Sequence, residues 1–84
     1  MYVLTLDDSN AFELTRWEFY TRGVAQKEML KQYERSLASA IRRASNNNVD
    51  GVLTIGCSAR IKARYPDGRT SRMMWSIRDT LKKI

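Results

Sequence analysis

Residues 59–70, ARIKARYPDGRT, carry the signal that decides how this chain folds. The run YPDGR at 65–69 suits a type I turn in which Pro66 and Asp67 are central and Gly68 is left-handed. A β-hairpin with a three-residue loop follows, and the first and last residues of that run pair with each other. All other pairs in the hairpin are then fixed by counting outward from the loop.

This register separates apolar from basic side chains. One face would carry mostly apolar pairs: Ala63 with Ser71, Ile61 with Met73, Ala59 with Trp75, and Cys57 with Ile77. The other face would carry basic and polar pairs: Arg64 with Thr70, Lys62 with Arg72, Arg60 with Met74, and Ser58 with Ser76. A half-buried sheet requires this alternation, so the turn chemistry and the pattern predict the same hairpin.

Residues 71–84 allow a second interpretation. Ser71 could cap a helix whose apolar residues have helical spacing: Met74, Ile77, Leu81 and Ile84. The hairpin register favours a strand as far as Ile77, followed by residues 78–84 as a helical turn or tail.

Residues 25–46, AQKEMLKQYERSLASAIRRASN, predict one long amphipathic helix. Its apolar residues fall within an arc of about 120° at the helical period: Met29, Leu30, Tyr33, Leu37, Ala40, Ile41 and Ala44. The remaining faces are largely basic, with Lys27, Lys31, Arg35, Arg42 and Arg43. We expect Leu37 and Ile41 to be buried against a sheet, and the Asn-rich run after the helix to end it.

The first 20 residues predict two paired strands. YVLTL, residues 2–6, is rich in β-forming side chains, and the DDSN run that follows suits a turn. Residues 11–20 scatter their aromatic side chains around a helical wheel, so we predict a strand there that pairs with residues 2–6. A helix is the alternative, because Asn10 and Glu13 have capping-box spacing and Gly23 could close it.

GVLTIGC, residues 51–57, reads as a buried strand that continues through residue 65, with Gly56 marking a bend or bulge. The expected fold is therefore α+β: a small antiparallel sheet of about four strands with one long helix packed on one face. A chain of 84 residues suits a single domain spanning residues 1–84.

Composition narrows the classes of protein. The chain has 15 Lys and Arg against nine Asp and Glu, a formal charge of +6 and a sequence pI near 9.9. Such a surface attracts nucleic acid or an acidic protein. No apolar run is long enough to span a membrane, and the N-terminal residues do not resemble a signal peptide. The lone Cys57 is typical of a cytoplasmic protein and is expected to face the core.

The sequence offers little for catalysis, so we expect no enzyme, no cofactor and no metal. Histidine is absent, which removes the common triads and histidine-dependent zinc sites. The four glycines are scattered, which removes a Gly-rich phosphate loop. Asp7 and Asp8 are adjacent and should point apart on a strand, which favours a role in the turn over cation binding.

Two groups of basic residues are the candidate site. The first is the polar face of the hairpin, with Arg60, Lys62, Arg64 and Arg72. The second lies on the helix, with Lys31, Arg35, Arg42 and Arg43. Four cations on one sheet face without a carboxylate repel each other unless an anion binds, whereas a merely solvated outer face is the plainer interpretation. Sheets bind nucleic acid either as a β-ribbon in a DNA groove or as a face that holds single-stranded RNA.

The hairpin also resembles, locally, that of the AP2-like arm-binding domains of phage integrases, with a basic strand, YPDGR, a second strand and a short helix. In that family a three-stranded sheet precedes the helix, whereas the long helix here precedes the hairpin. The resemblance therefore concerns the hairpin alone.

The sequence thus predicts a small, non-catalytic nucleic-acid-binding protein, with RNA slightly favoured over DNA, that acts as a regulator or an inhibitor. The alternative is a protein-interaction module, of the kind that phages and mobile elements encode, which binds an acidic surface of a nucleic-acid-handling enzyme. Neither the target nor the oligomeric state follows from the sequence.

Overall fold

The computed structural model describes residues 1–11, 14–44, 48–54 and 58–79. Its elements, in chain order, are β1 (Tyr2–Asp8), β2 (Thr15–Phe19), α1 (Arg22–Ala44), β3 (Val49–Thr54), β4 (Ser58–Arg64) and β5 (Thr70–Asp79). The strands form one antiparallel sheet in the order β2-β1-β5-β4-β3. The α+β prediction is confirmed, and the described sheet has five strands where about four were expected.

The β4–β5 hairpin has the predicted register. Every expected pair from Arg64–Thr70 to Ser58–Ser76 is present, and the Cys57–Ile77 pair falls partly outside the described residues. The Tyr65 N–H donates to the Arg69 carbonyl at 2.8 Å, and the Gly68 N–H donates to the Tyr65 carbonyl at 3.0 Å. Gly68 has φ of 89°, the left-handed conformation that the loop requires.

The prediction of one strand from residue 51 through residue 65 is wrong. β3 and β4 are separate strands that pair antiparallel, from Val49 opposite Ala63 to Thr54 opposite Ser58. This second hairpin gives β4 a neighbour on each side and accounts for the fifth strand. Cys57 and Gly56 lie outside the described residues, so the predictions for them remain predictions.

The two strands at the start of the chain also form the predicted hairpin, although both have limits that differ from the predicted ones. β1 extends to Asp8 and pairs with β2 from Tyr2–Phe19 to Leu6–Thr15. The alternative helix ending at Gly23 is wrong, because Gly23 lies in the first turn of α1. The helix begins where the Thr21 hydroxyl accepts a hydrogen bond from the Val24 N–H at 3.3 Å, an N-cap contact.

The end of the chain is a strand as far as the structure describes it. β5 runs to Asp79. Its residues 73–79 pair with the whole of β1 and its residues 70–76 pair with β4, so the helical alternative is wrong for residues 71–79. The predicted helical turn or tail is likewise wrong for residues 78 and 79, because pairing with β1 supplies hydrogen-bond partners that a turn would forgo. Residues 80–84 lie outside the described part.

The core lies between α1 and one face of the sheet. Its most deeply buried large side chains are Leu4 of β1 and Trp75 of β5. The helix contributes the side chains of Ala25, Met29, Tyr33, Ala40 and Ala44. Leu37 and Ile41 are half-buried, and Leu37 packs against the core, so the predicted burial of these two residues is met only in part. Leu30, which belongs to the same apolar arc, is exposed. Compared with the prediction, the helix is rotated about its axis, so that Ala25 lies in the buried arc and Leu37 and Ile41 lie at the margin of that arc.

Candidate nucleic-acid interface

The sheet has one face covered by α1 and one on which the described residues place no helix, which we call the helix-free face. Ala59, Ile61 and Ala63 of β4 are buried beneath the helix. Alternation places the other residues of the same strand on the helix-free face, and the pairing with β5 adds Arg72 there. The four hairpin cations predicted from the sequence therefore share one face: Arg60, Lys62, Arg64 and Arg72.

Among the described residues, these four cations form no ion pair. Lys62, Arg64 and Arg72 are exposed, and Arg60 is half-buried. None of them forms an ion pair with another described residue, whereas Arg69 in the loop lies 3.4 Å from the Asp67 carboxylate. Lys62 lies directly opposite Arg72, a cross-strand pair of like charges that weakens the hairpin slightly. An anion bound at this face would relieve that repulsion.

Three of the cations line one groove of about 490 Å³, which we call the basic groove. Its lining includes Lys62, Arg64 and Arg72, together with the hydroxyl groups of Ser9 and Thr70. Ser9 is held in place because its Oγ accepts a hydrogen bond from the Arg72 N–H at 2.9 Å. The Ser9 hydroxyl keeps its own proton to donate, so the groove combines three cations and neutral donors, which suit a phosphate group, with one carboxylate residue, Asp50 beside Lys62.

The helix-free face is less uniformly basic than the sequence indicated. The expectation of cations without a carboxylate is wrong, because β3 places Asp50 directly opposite Lys62 and β1 places Asp7 opposite Met74. The same face also gains Arg16 from β2 and Arg78 from β5, neither of which was predicted as a site residue. These neighbours could be found only from the pairing of β1, β2 and β3, which the hairpin pattern does not contain.

Next to the basic groove, the helix-free face becomes apolar. A second groove of about 460 Å³ is lined by Leu14, Val52 and Met74, with Arg60 and Arg78 among its polar residues. The three apolar side chains are exposed. The Arg60 Nε is buried and has no hydrogen-bond partner in the described part of the chain. Arg60 therefore differs from the other three cations, since its Nε is an unused donor in a groove that has both exposed apolar side chains and polar residues such as Asp7.

The second predicted group, on the helix, is divided by the structure. Arg35 and Arg43 line the same cavity of about 330 Å³, beside Asp8 and Asn10. The Arg43 guanidinium lies 5.3 Å from the centre of the Tyr65 ring, a cation–π contact that ties the end of α1 to the β4–β5 loop. Lys31 and Arg42 are exposed and do not line this cavity. The four helix cations therefore do not form one patch.

The described residues show no arrangement for metal-dependent chemistry. No three Cys, Asp or Glu side chains among them come close enough to hold a metal ion. Asp7 and Asp8 are on opposite faces of the sheet, opposite Met74 and Met73 respectively, and the Asp8 carboxylate accepts a hydrogen bond from the Asn10 N–H at 2.9 Å. In the same ranges, no helix combines the length and the apolar composition that crossing a bilayer requires.

Comparison of the chain with protein-family models, with curated proteins and with solved structures finds no match. The function of the protein is therefore inferred from the candidate site alone.

Proposed function

We propose that this protein binds nucleic acid, without catalysis, through the helix-free face of its sheet. The observation that carries the proposal is the β4–β5 register, which gathers Arg60, Lys62, Arg64 and Arg72 on one side of the molecule. The absence of ion pairs between these cations and other described residues adds support, because only Lys62, which lies opposite Asp50, has a carboxylate as its cross-strand neighbour. Cations that contact phosphates release condensed counterions, which supplies most of the affinity in such complexes.

The contacts we propose are to the phosphate backbone. Single-stranded RNA is held on a sheet face by stacking of bases on aromatic side chains. The described strand residues of the helix-free face include no aromatic ring, since Trp17, Phe19 and Trp75 all face the core. Base stacking therefore gives no reason to prefer RNA over DNA, and we propose contacts to the phosphate backbone of either nucleic acid.

A small basic protein that binds nucleic acid without catalysis acts by covering the nucleic acid. This mode of action suits a regulator or an inhibitor. The helix-free face covers phosphates, and the opposite side of the sheet is closed by α1. Binding through the backbone would depend little on base sequence and strongly on salt.

The second groove, which is lined by Leu14, Val52 and Met74, favours a second candidate function, the binding of an acidic protein surface. A phosphate backbone offers nothing apolar to cover Val52 and Met74, whose side chains are 42% and 41% exposed. A protein partner with carboxylates around an apolar centre would contact both these residues and the cations beside them.

The direct test compares two variants that lose the same number of charges. The first replaces Arg60, Lys62, Arg64 and Arg72 by Gln, and the second replaces Lys27, Lys31, Arg35 and Arg42, all exposed on α1. Binding to labelled RNA and DNA of matched sequence, in single- and double-stranded form, is measured by fluorescence anisotropy. We expect the sheet variant to lose most of its affinity and the helix variant to lose much less.

Circular dichroism and thermal melting show whether both variants stay folded. If both variants bind equally well, or lose affinity equally, only net charge matters and the assignment of the helix-free face is wrong. If the parent protein does not bind any of the four nucleic acids, the first proposal falls, and the acidic protein surface becomes the function to test.

A further inference from the structure

One edge of the sheet is left open by the residues that the structure describes. β3 is the last strand on its side, and no backbone hydrogen bond of residues 49–54 to another described segment beyond β4 is present. Gly51, Val52, Leu53 and Thr54 are all exposed, and Leu53 is 39% exposed. Such a strand presents unpaired N–H and C=O groups to any strand that can align with them.

The opposite edge, β2, is protected in a way that β3 is not. β2 has the sequence TRWEF, in which Arg16 and Glu18 alternate with the half-buried Trp17 and Phe19. Charged side chains on an edge oppose pairing with another strand. β3 has the sequence VDGVLT, where Asp50 is the one charged residue and two exposed side chains, Val52 and Leu53, are aliphatic.

We propose that β3 pairs with β3 of a second copy of this chain, antiparallel and about a twofold axis at Val52. Twofold pairing places Val52 opposite Val52 of the second copy, on the helix-free side. Gly51 then lies opposite Leu53 of the second copy, on the helix-covered side. Antiparallel pairs of β-branched residues stabilise a sheet. On the helix-covered side, Tyr33 and Leu37 of α1 lie over Gly51, so the leucine of the second copy would meet their side chains.

The charge of the β3 edge permits a second copy as the occupant. The net charge of +6 opposes dimer formation at most surfaces of this protein, but the β3 edge is almost neutral. In the proposed register each Asp50 lies opposite the uncharged Thr54 of the other copy, so like charges do not face each other. The side chains of the β3 edge can therefore face those of a second copy without bringing two like charges together.

The consequence is a continuous sheet across two copies. Because twofold pairing at an edge keeps the same side of both sheets together, the two helix-free faces become neighbours. The pairing of two six-residue strands buries little area, so we expect a weak dimer whose population rises with concentration. This inference does not depend on nucleic-acid binding, and its test needs no nucleic acid.

Analytical ultracentrifugation of the full chain, over a dilution series from micromolar to near-millimolar protein, is the first measurement. We expect the apparent mass to rise from 9.8 kDa toward twice that value. A protein that stays monomeric throughout overturns the proposal and leaves the edge for a strand of another protein. The matched control places a lysine on the other edge, Thr15→Lys, and should dimerise like the parent. Loss of the dimer in that control would assign association to β2 and defeat the inference.

A charge-swap pair then tests the twofold axis itself. Val52→Glu and Val52→Lys each place like charges opposite one another at the axis, so each variant alone should be monomeric. Mixed in equal amounts, the two should form a heterodimer, because the introduced charges are then opposite. Val52 is exposed, so both variants should keep the parent's circular dichroism spectrum. If either variant dimerises like the parent, or if the mixture stays monomeric, the register is wrong.

Discussion

Gly51 and Gly68 lie at the two hairpins that contain β4, and the physical reason for glycine differs between them. Gly68 supplies a left-handed residue, φ 89°, to the loop between β4 and β5. Gly51 has no such φ, and its surroundings explain the residue. A Cβ there would lie 2.6 Å from the Tyr33 hydroxyl oxygen and 3.1 Å from the Leu37 Cδ1. The absence of a side chain at Gly51 lets α1 approach β3.

The change Gly51→Ala tests this close approach. Overpacking of this kind costs about 1–3 kcal/mol, so we expect a lower free energy of unfolding in urea. The control is Gly23→Ala, where nothing lies within 4 Å of the added Cβ, and which should stabilise α1 by up to about 1 kcal/mol.

A double-mutant cycle identifies the atom responsible. Tyr33→Phe removes the hydroxyl oxygen, and the nearest remaining ring atom, Cζ, is 3.5 Å from the Cβ position at Gly51. Gly51→Ala should therefore cost less in the Tyr33→Phe background. Equal costs in the two backgrounds would show that the hydroxyl does not set the distance between helix and sheet.

Between elements, Trp75 joins the helix to the centre of the sheet. Its side chain is almost fully buried, and its ring meets that of Tyr33 edge-on with centroids 6.2 Å apart. The indole N–H donates to the Gln32 Oε1 at 3.0 Å, and the Gln32 amide in turn donates to the Glu28 carboxylate at 2.8 Å. This chain of contacts fixes the rotation of α1 about its axis.

Gln32→Met should cost about 1–3 kcal/mol, because it leaves the buried indole N–H of Trp75 without an acceptor. Urea unfolding followed by tryptophan fluorescence gives the measurement. The exchange variant, Gln32→Glu together with Glu28→Gln, keeps an acceptor for the indole and a hydrogen bond between residues 28 and 32. It is the matched control, with a smaller expected loss. A Gln32→Met variant as stable as the parent would contradict the assigned hydrogen bond.

The elements differ in how far the sequence could predict them. The β4–β5 hairpin could be predicted because its loop residues and its alternation are both local. The division between β3 and β4 could not, since the residues between Thr54 and Ser58 are Ile-Gly-Cys, with no Pro, Asn or Asp to mark a turn. The rotation of α1 was missed for another reason, because a small residue such as Ala25 carries little signal in an apolar pattern yet allows close packing.

At the scale of the whole molecule, the distribution of charge matters more than its sum. The candidate cations on the hairpin could be predicted because their side of the sheet follows from one register. Asp7 reaches the same face through a pairing that is distant in sequence, and Asp50 through the β3–β4 hairpin that the sequence did not predict, so the local balance of charge could not be predicted. The helix cations share a sequence pattern, but Arg43 lies against Tyr65 and away from Lys31 and Arg42.

The central claim is that Arg60, Lys62, Arg64 and Arg72 contact phosphates, and the salt dependence of binding tests it most directly. Log K against log salt is measured for the parent, for the Gln variant of these four residues, and for the helix variant. We expect the slope to become shallower by about 3–4 units for duplex in the sheet variant, somewhat less for a single strand. The helix variant should keep nearly the parent slope. A folded sheet variant whose slope equals that of the parent would contradict the account.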